Sequence, residues 1–184
     1  MKVVKFISIA VVSLVVVGIG LIFSGAYNVA ADDPHWGATR WLLETLRERS
    51  VAIRSSVNTI PSLDDEKLIA MGAEHYAEMC TGCHLAPDLQ DSELRAGLYP
   101  QPPNLVEHGR DHSPQETFWI IKHGFKMTGM PAWGATHDDH SIWAMVAFLR
   151  KLPSLSPQDY RALVGQSDNE HAHEEHSEHH AASG

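Results

Sequence analysis

The sequence predicts an all-α protein, and three observations carry that expectation. Apolar residues recur at helical spacing in stretch after stretch, no alternating apolar and polar run of any length appears, and Pro, Ser, Asp and Gly stand where helices begin and end. The 184 residues amount to one domain with appendages. Fourteen basic residues against 23 acidic ones give a net charge of −9, which leaves no broad cationic face for a phosphate backbone and excludes nucleic-acid binding. Two cysteines are too few for a disulfide framework or a four-cysteine zinc site, so they act together or not at all.

The elements follow in order. Lys2 and Lys5 precede an uncharged run, Phe6 to Phe23, that reaches about 27 Å as a helix and so spans a bilayer's hydrocarbon core. Residues 1–23 are expected to be a signal anchor, with Lys2 and Lys5 held inside and everything after residue 24 exported. A leader cut near Ala31, after the small residues Val29-Ala30-Ala31, is the competing reading; the length of the apolar run favours the anchor.

Residues 24–62 form an arm and linker. An amphipathic helix is expected over 32–53, with Asp33 as N-cap, Pro34 at the first helical position, and Trp36, Trp41, Leu42 and Leu46 at helical spacing. Arg47, Arg49 and Arg54 gather at its far end. Such a helix either packs on the main domain or lies at a membrane interface. The linker from Ser55 to Leu63 contains Pro61.

A main domain over 63–165 starts with a helix from about Asp64 to Cys80. Within it Gly72 costs about 1 kcal/mol relative to Ala and therefore marks a close approach of another helix. A Pro-rich loop runs from Leu98 to Leu105. Ser113-Pro114-Gln115-Glu116 reads as a capping box opening a helix that ends at Gly124. The loop Phe125 to Thr136 leads to a helix from about Asp138 to Leu152, stopped by Pro153, and Ser156-Pro157 starts a last helix closing at Gly165. Residues 166–184 have almost nothing to bury and read as a disordered, His-rich tail. Setting aside the five tail acids and two leader lysines leaves −6 on the exported body.

Cys80-Thr81-Gly82-Cys83-His84 uses both cysteines at once. Two thiols on one turn match the two vinyl groups along a haem edge, and the histidine after the second is then held over the iron. A thioredoxin-like pair would need a preceding strand, whereas a helix precedes this one; a zinc site would need ligands from elsewhere. One covalent haem c is the expected cofactor, and His84 its first axial ligand. For the second, Met130 is favoured in the loop Lys126 to Trp133, where Gly129 permits a tight approach and Pro131 stiffens the chain. Met127 is the runner-up, and His123, His137 and His140 are the candidates for a bis-histidine haem. His108 and His112 read as surface loop residues.

With these residues in place, residues 63–165 resemble a monohaem class I cytochrome c. Gly72, Tyr76, Cys80 and His84 fall in the register of that family's first helix, Phe148-Leu149 resembles its aromatic-Leu pair on the last helix, and Gly129-Met130-Pro131-Ala132-Trp133 resembles the methionine loop of bacterial members. Pro102-Pro103-Asn104-Leu105 resembles the loop whose carbonyl receives the axial imidazole's hydrogen bond, which makes Pro103 the implied partner of His84. The resemblance implies the class I cytochrome c fold and an electron carrier, not an enzyme in its own right, though possible as a subunit of an oxidoreductase complex.

It further implies one-electron transfer with His/Met ligation in a bacterial respiratory or dehydrogenase-linked chain. The haem domain is then expected in the periplasm, tethered to the inner membrane through residues 6–23. Redox partners at the membrane follow, whether a terminal oxidase, a reductase or a dehydrogenase. Two alternatives stand beside this reading: a haem sensor or gas-binding protein with an open sixth position, and metal capture by His171, His173, His176, His179 and His180 of the tail.

Overall fold

The computed structural model describes residues 2–56 and 59–165, so the expected disordered tail, with His171, His173, His176, His179 and His180, lies outside the described residues. The chain divides into two units, Met1–Pro34 and His35–Gly184. In the first, α1 (Lys2–Ser24) is one helix of 23 residues with none of them buried. At about 35 Å it is long and apolar enough to cross a membrane.

The second unit contains α2 (Gly37–Arg54), α3 (Glu66–Met79), α4 (Thr81–His84), α5 (Glu93–Ala96), α6 (Leu105–His108), α7 (Pro114–His123), α8 (Asp139–Lys151) and α9 (residues 157–165). Tight 3-10 turns stand at Trp133–Ala135 and Leu152–Ser154. Among the described residues there is no strand, only an isolated bridge between Ala86 and Leu89. The all-α expectation therefore holds.

Local chemistry sets the helix starts. Asp65 caps α3 by accepting from the amides of Lys67 at 2.8 Å and Leu68 at 3.2 Å. At α7 the capping box is complete: Ser113 and Glu116 exchange hydrogen bonds, and these hold the Glu116 carboxyl below its ordinary pKa. Gly124 then ends the helix at φ +59°, a conformation that favours glycine. Asp138 caps α8 through the Ser141 amide at 2.8 Å.

The core lies where α3 crosses α8. Every residue of α8 from Ile142 to Leu149 is buried, and α3 contributes Leu68, Ile69, Gly72, Ala73 and Tyr76. A Cβ on Gly72 would overlap the Ala144 carbonyl, which is why glycine is tolerated mid-helix despite its conformational cost. The Tyr76 and Phe148 rings lie 5.2 Å apart, and Phe118 of α7 stacks on Trp143 of α8 at 4.4 Å. Burying side chains such as Ile142, Met145 and Phe148 contributes about 1.5–3 kcal/mol each.

The arm departs from expectation at its start. Its helix begins at Gly37 behind Trp36, without a side-chain cap, not at Asp33 and Pro34. The Asp33 carboxylate instead accepts from Asn28 Nδ2 at 2.9 Å, and the His35 amide donates to Tyr99 Oη at 3.0 Å. Tertiary partners have taken the groups that a helix cap would use. The C-terminal half of α2 packs on α7 with Val51 buried, and the Arg47 guanidinium sits 5.8 Å over the Phe125 ring.

Candidate functional site

The site is built at the end of α3. Cys80 closes that helix, and the chain turns at once into the single turn α4 carrying Cys83 and His84. Both cysteines are free thiols at half-buried positions. Burial, with a smaller contribution from Cys83, pushes the Cys80 thiol up to about 12, so it stays protonated at neutral pH and is a poor thiolate nucleophile. That disfavours thiol-disulfide exchange through Cys80, whose thiol stands one turn from that of Cys83.

Immediately after His84 the chain reverses through Leu85 at φ +67°, a strained conformation for a branched residue. Two features hold it. The Leu85 side chain is buried, and the Tyr76 hydroxyl donates to the Leu85 carbonyl at 2.7 Å, with a longer contact of 3.3 Å to the His84 carbonyl. Tyr76 thus has a second duty beyond its ring contact with Phe148.

His84 Nδ1 lies 2.9 Å from the Pro103 carbonyl. A carbonyl only accepts, so Nδ1 carries the proton and Nε2 keeps its lone pair. Burial, the largest influence, lowers the imidazole pKa; the Pro103 bond raises it, and the Arg95 charge lowers it again. The ring is therefore neutral at pH 7, in the tautomer that offers Nε2 to a metal.

The loop that carries Pro103 is braced from α5. Ser92 caps α5 by accepting from the Arg95 amide at 3.1 Å, and its hydroxyl donates to the Gly82 carbonyl within the cysteine turn. Arg95 Nε donates to the Pro102 carbonyl at 3.2 Å. Ser92 and Arg95 thus link the thiol-bearing turn to the carbonyl that orients His84. Sequence reasoning missed both; the only local signal is the Ser92-Glu93 start of a short helix.

The methionine loop is folded on itself. Thr128 Oγ1 donates to the Phe125 carbonyl at 2.9 Å and accepts from the Met130 amide at 3.1 Å, while the Phe125 amide donates to the Met130 carbonyl at 3.3 Å. A Cβ on Gly124 would come within 2.6 Å of the Met130 carbonyl oxygen, so Gly124 allows the backbone at the head of this loop to approach Met130 closely. Gly129, to which the sequence assigned a tight approach, makes one to the Leu98 side chain, 3.0 Å from where a Cβ would stand.

The loop's two methionines differ sharply. Met130 is half-buried and packs against the core, whereas Met127 is 93% exposed. Of the histidines considered as alternatives, His123 and His140 are exposed, and the His137 ring meets the rings of His75 at 5.3 Å and Trp133 at 5.5 Å. His108 ends α6 and pairs with Asp111 at 2.9 Å, and His112 lies 3.9 Å from Glu116; both are exposed, as surface residues should be.

Two cysteines one turn apart, an oriented neutral imidazole and a braced loop with a half-buried thioether are a donor set that fits covalent haem. A family model described as cytochrome C oxidase, cbb3-type, subunit III matches residues 67–149. No curated protein matches the chain.

Proposed function

Residues 67–149 are a class I c-type cytochrome domain with covalent haem c, and from this we propose that the chain is a membrane-anchored one-electron carrier using His84 and Met130 as axial ligands. Haem c supplies the ferric/ferrous couple when bound. Cys80 and Cys83 would hold it through two thioethers. Pro103 fixes the His84 ring through Nδ1 and leaves Nε2 as donor; this contact is the observation that carries the reading. Met130 is the second donor because its loop is closed by Thr128 and its side chain turns toward the core, whereas Met127 projects into solvent. A thioether opposite an imidazole raises the reduction potential, which suits a carrier near the oxidising end of a chain.

The proposed organisation is an anchor at 1–23, an arm and linker at 24–62, the cytochrome at 63–165 and a tail at 166–184. The anchor stays uncut in this reading, which sets the haem domain on the periplasmic side of a bacterial inner membrane. An oxidase, reductase or dehydrogenase with a basic docking face is the expected partner, since the exported body carries −6. The matched family's description, an oxidase subunit, supports a respiratory setting.

Carbon monoxide tests the ligation. The reduced full-length protein should resist it, and Met130→Ala should bind it readily and lose the sulfur-to-iron charge-transfer band of the oxidised spectrum. Ready binding by the unaltered protein, or an unchanged spectrum in Met130→Ala, would instead point to a sensor or gas-binding protein with an open position.

A further inference from the structure

The arm helix α2 has two faces with different fates. One carries Val51 and Arg47 and rests on the domain. On another side Leu42, Leu43, Leu46 and Ile53 project outward at 50%, 42%, 58% and 73% exposure. At about 100° per residue these four fall within an arc of roughly 100°, which also holds Thr39 and Ser50, so they form a mostly aliphatic stripe. The same projection sets Arg49 at one margin of the stripe and Arg54 near the other. The helix carries Arg40, Arg47, Arg49 and Arg54 against Glu44 and Glu48, and is thus basic on an acidic body.

We propose that this face of α2 seats on the surface of an anionic phospholipid bilayer. The aliphatic stripe enters the boundary between headgroups and acyl chains, and the flanking arginines reach the phosphates. Charge decides the occupant: an acidic body is repelled by anionic lipid, and α2 is the segment that reverses the sign. Chain continuity agrees, because residues 25–36 alone separate α2 from the membrane-competent helix α1.

The arm is also fastened to the redox domain. His35 donates to Tyr99 on the loop that continues to Pro103, and Arg47 lies over Phe125 at the start of the methionine loop. Seating α2 on lipid therefore fixes how the haem domain is presented to the membrane. This inference rests on the reading of α1 as an uncut anchor, and the experiment separates the two.

The full-length, haem-loaded protein is reconstituted into vesicles of phosphatidylcholine and phosphatidylglycerol with no other protein present. Spin labels are placed in turn at Leu46→Cys and, as the opposite-face control, Glu44→Cys. Oxygen should relax the Leu46→Cys label more strongly than a water-soluble nickel chelate does, and the order should reverse at Glu44→Cys. Polarised absorption of oriented bilayers should show a fixed haem tilt that is lost in the variant combining Leu42→Glu and Leu46→Glu, with the haem spectrum unchanged.

Equal access of the nickel chelate to both labels would overturn the proposal and leave the stripe as a docking site for a protein. An unchanged tilt in the double variant would also overturn it. Loss of the protein from vesicles on alkaline washing would refute the anchor instead, a result independent of the labels.

Discussion

Helices α8 and α2 are built from similar residues, Trp, Leu, Ile, Val and Ala, and meet opposite fates. In α8 the run Ile142-Trp143-Ala144-Met145-Val146-Ala147-Phe148-Leu149 contains no charge, and all of it is buried. In α2 charged residues recur at Arg40, Glu44, Arg47, Glu48, Arg49 and Arg54, and only Val51 is buried. What separates them is the distribution of charge around the helix, not apolar content: a helix apolar on all sides is enclosed by the protein, as α8 is, or suits a membrane, as α1 does, while a divided one presents a second face to something else.

The sharpest way to break this contrast is inside α8. Phe148→Ala removes a fully buried ring from between Tyr76 and Tyr160 and should destabilise the haem-loaded protein by about 4 kcal/mol in thermal or denaturant unfolding. A loss below about 1 kcal/mol would mean that the core is not where α3 crosses α8. Tyr76→Phe is a finer probe, since the ring stays while the bond to the Leu85 carbonyl goes. It should cost about 1–2 kcal/mol, the penalty of a buried acceptor left unpaired, measured by the same unfolding. At the small end, Leu46→Gln on the outer face of α2 should change stability in detergent by no more than about 0.5 kcal/mol. A large loss there would place Leu46 in a packed interface.

The same contrast explains what the sequence revealed. The capping box at Ser113 and Glu116, the stop at Gly124, the start of α8 near Asp138 and the role of Gly72 were legible because each depends on residues within one helix or on a single missing side chain. The start of α2 was not, because Asn28 and Tyr99 compete for the groups that would have capped it. One-turn helices such as α5 and α6 carry too few residues for a periodic signal. For the site, the cysteine-histidine turn and the Pro103 contact could be anticipated. The bracing by Ser92 and Arg95 joins separate loops, and no spacing rule announces it. The methionine loop has a similar lesson: the tight approach expected at Gly129 is made to Leu98, and only the folded chain shows that Gly124 meets the Met130 backbone as well.

The proposed function stands on the Met130 thioether completing, with His84, the iron's ligand set. Proton NMR of the reduced full-length protein tests it most directly, because the methyl of an iron-bound methionine is carried by the haem ring current far upfield of all other signals. One such methyl should be present, disappear in Met130→Leu and persist in Met127→Leu. A methyl that survives Met130→Leu, or is absent from the unaltered protein, would contradict it.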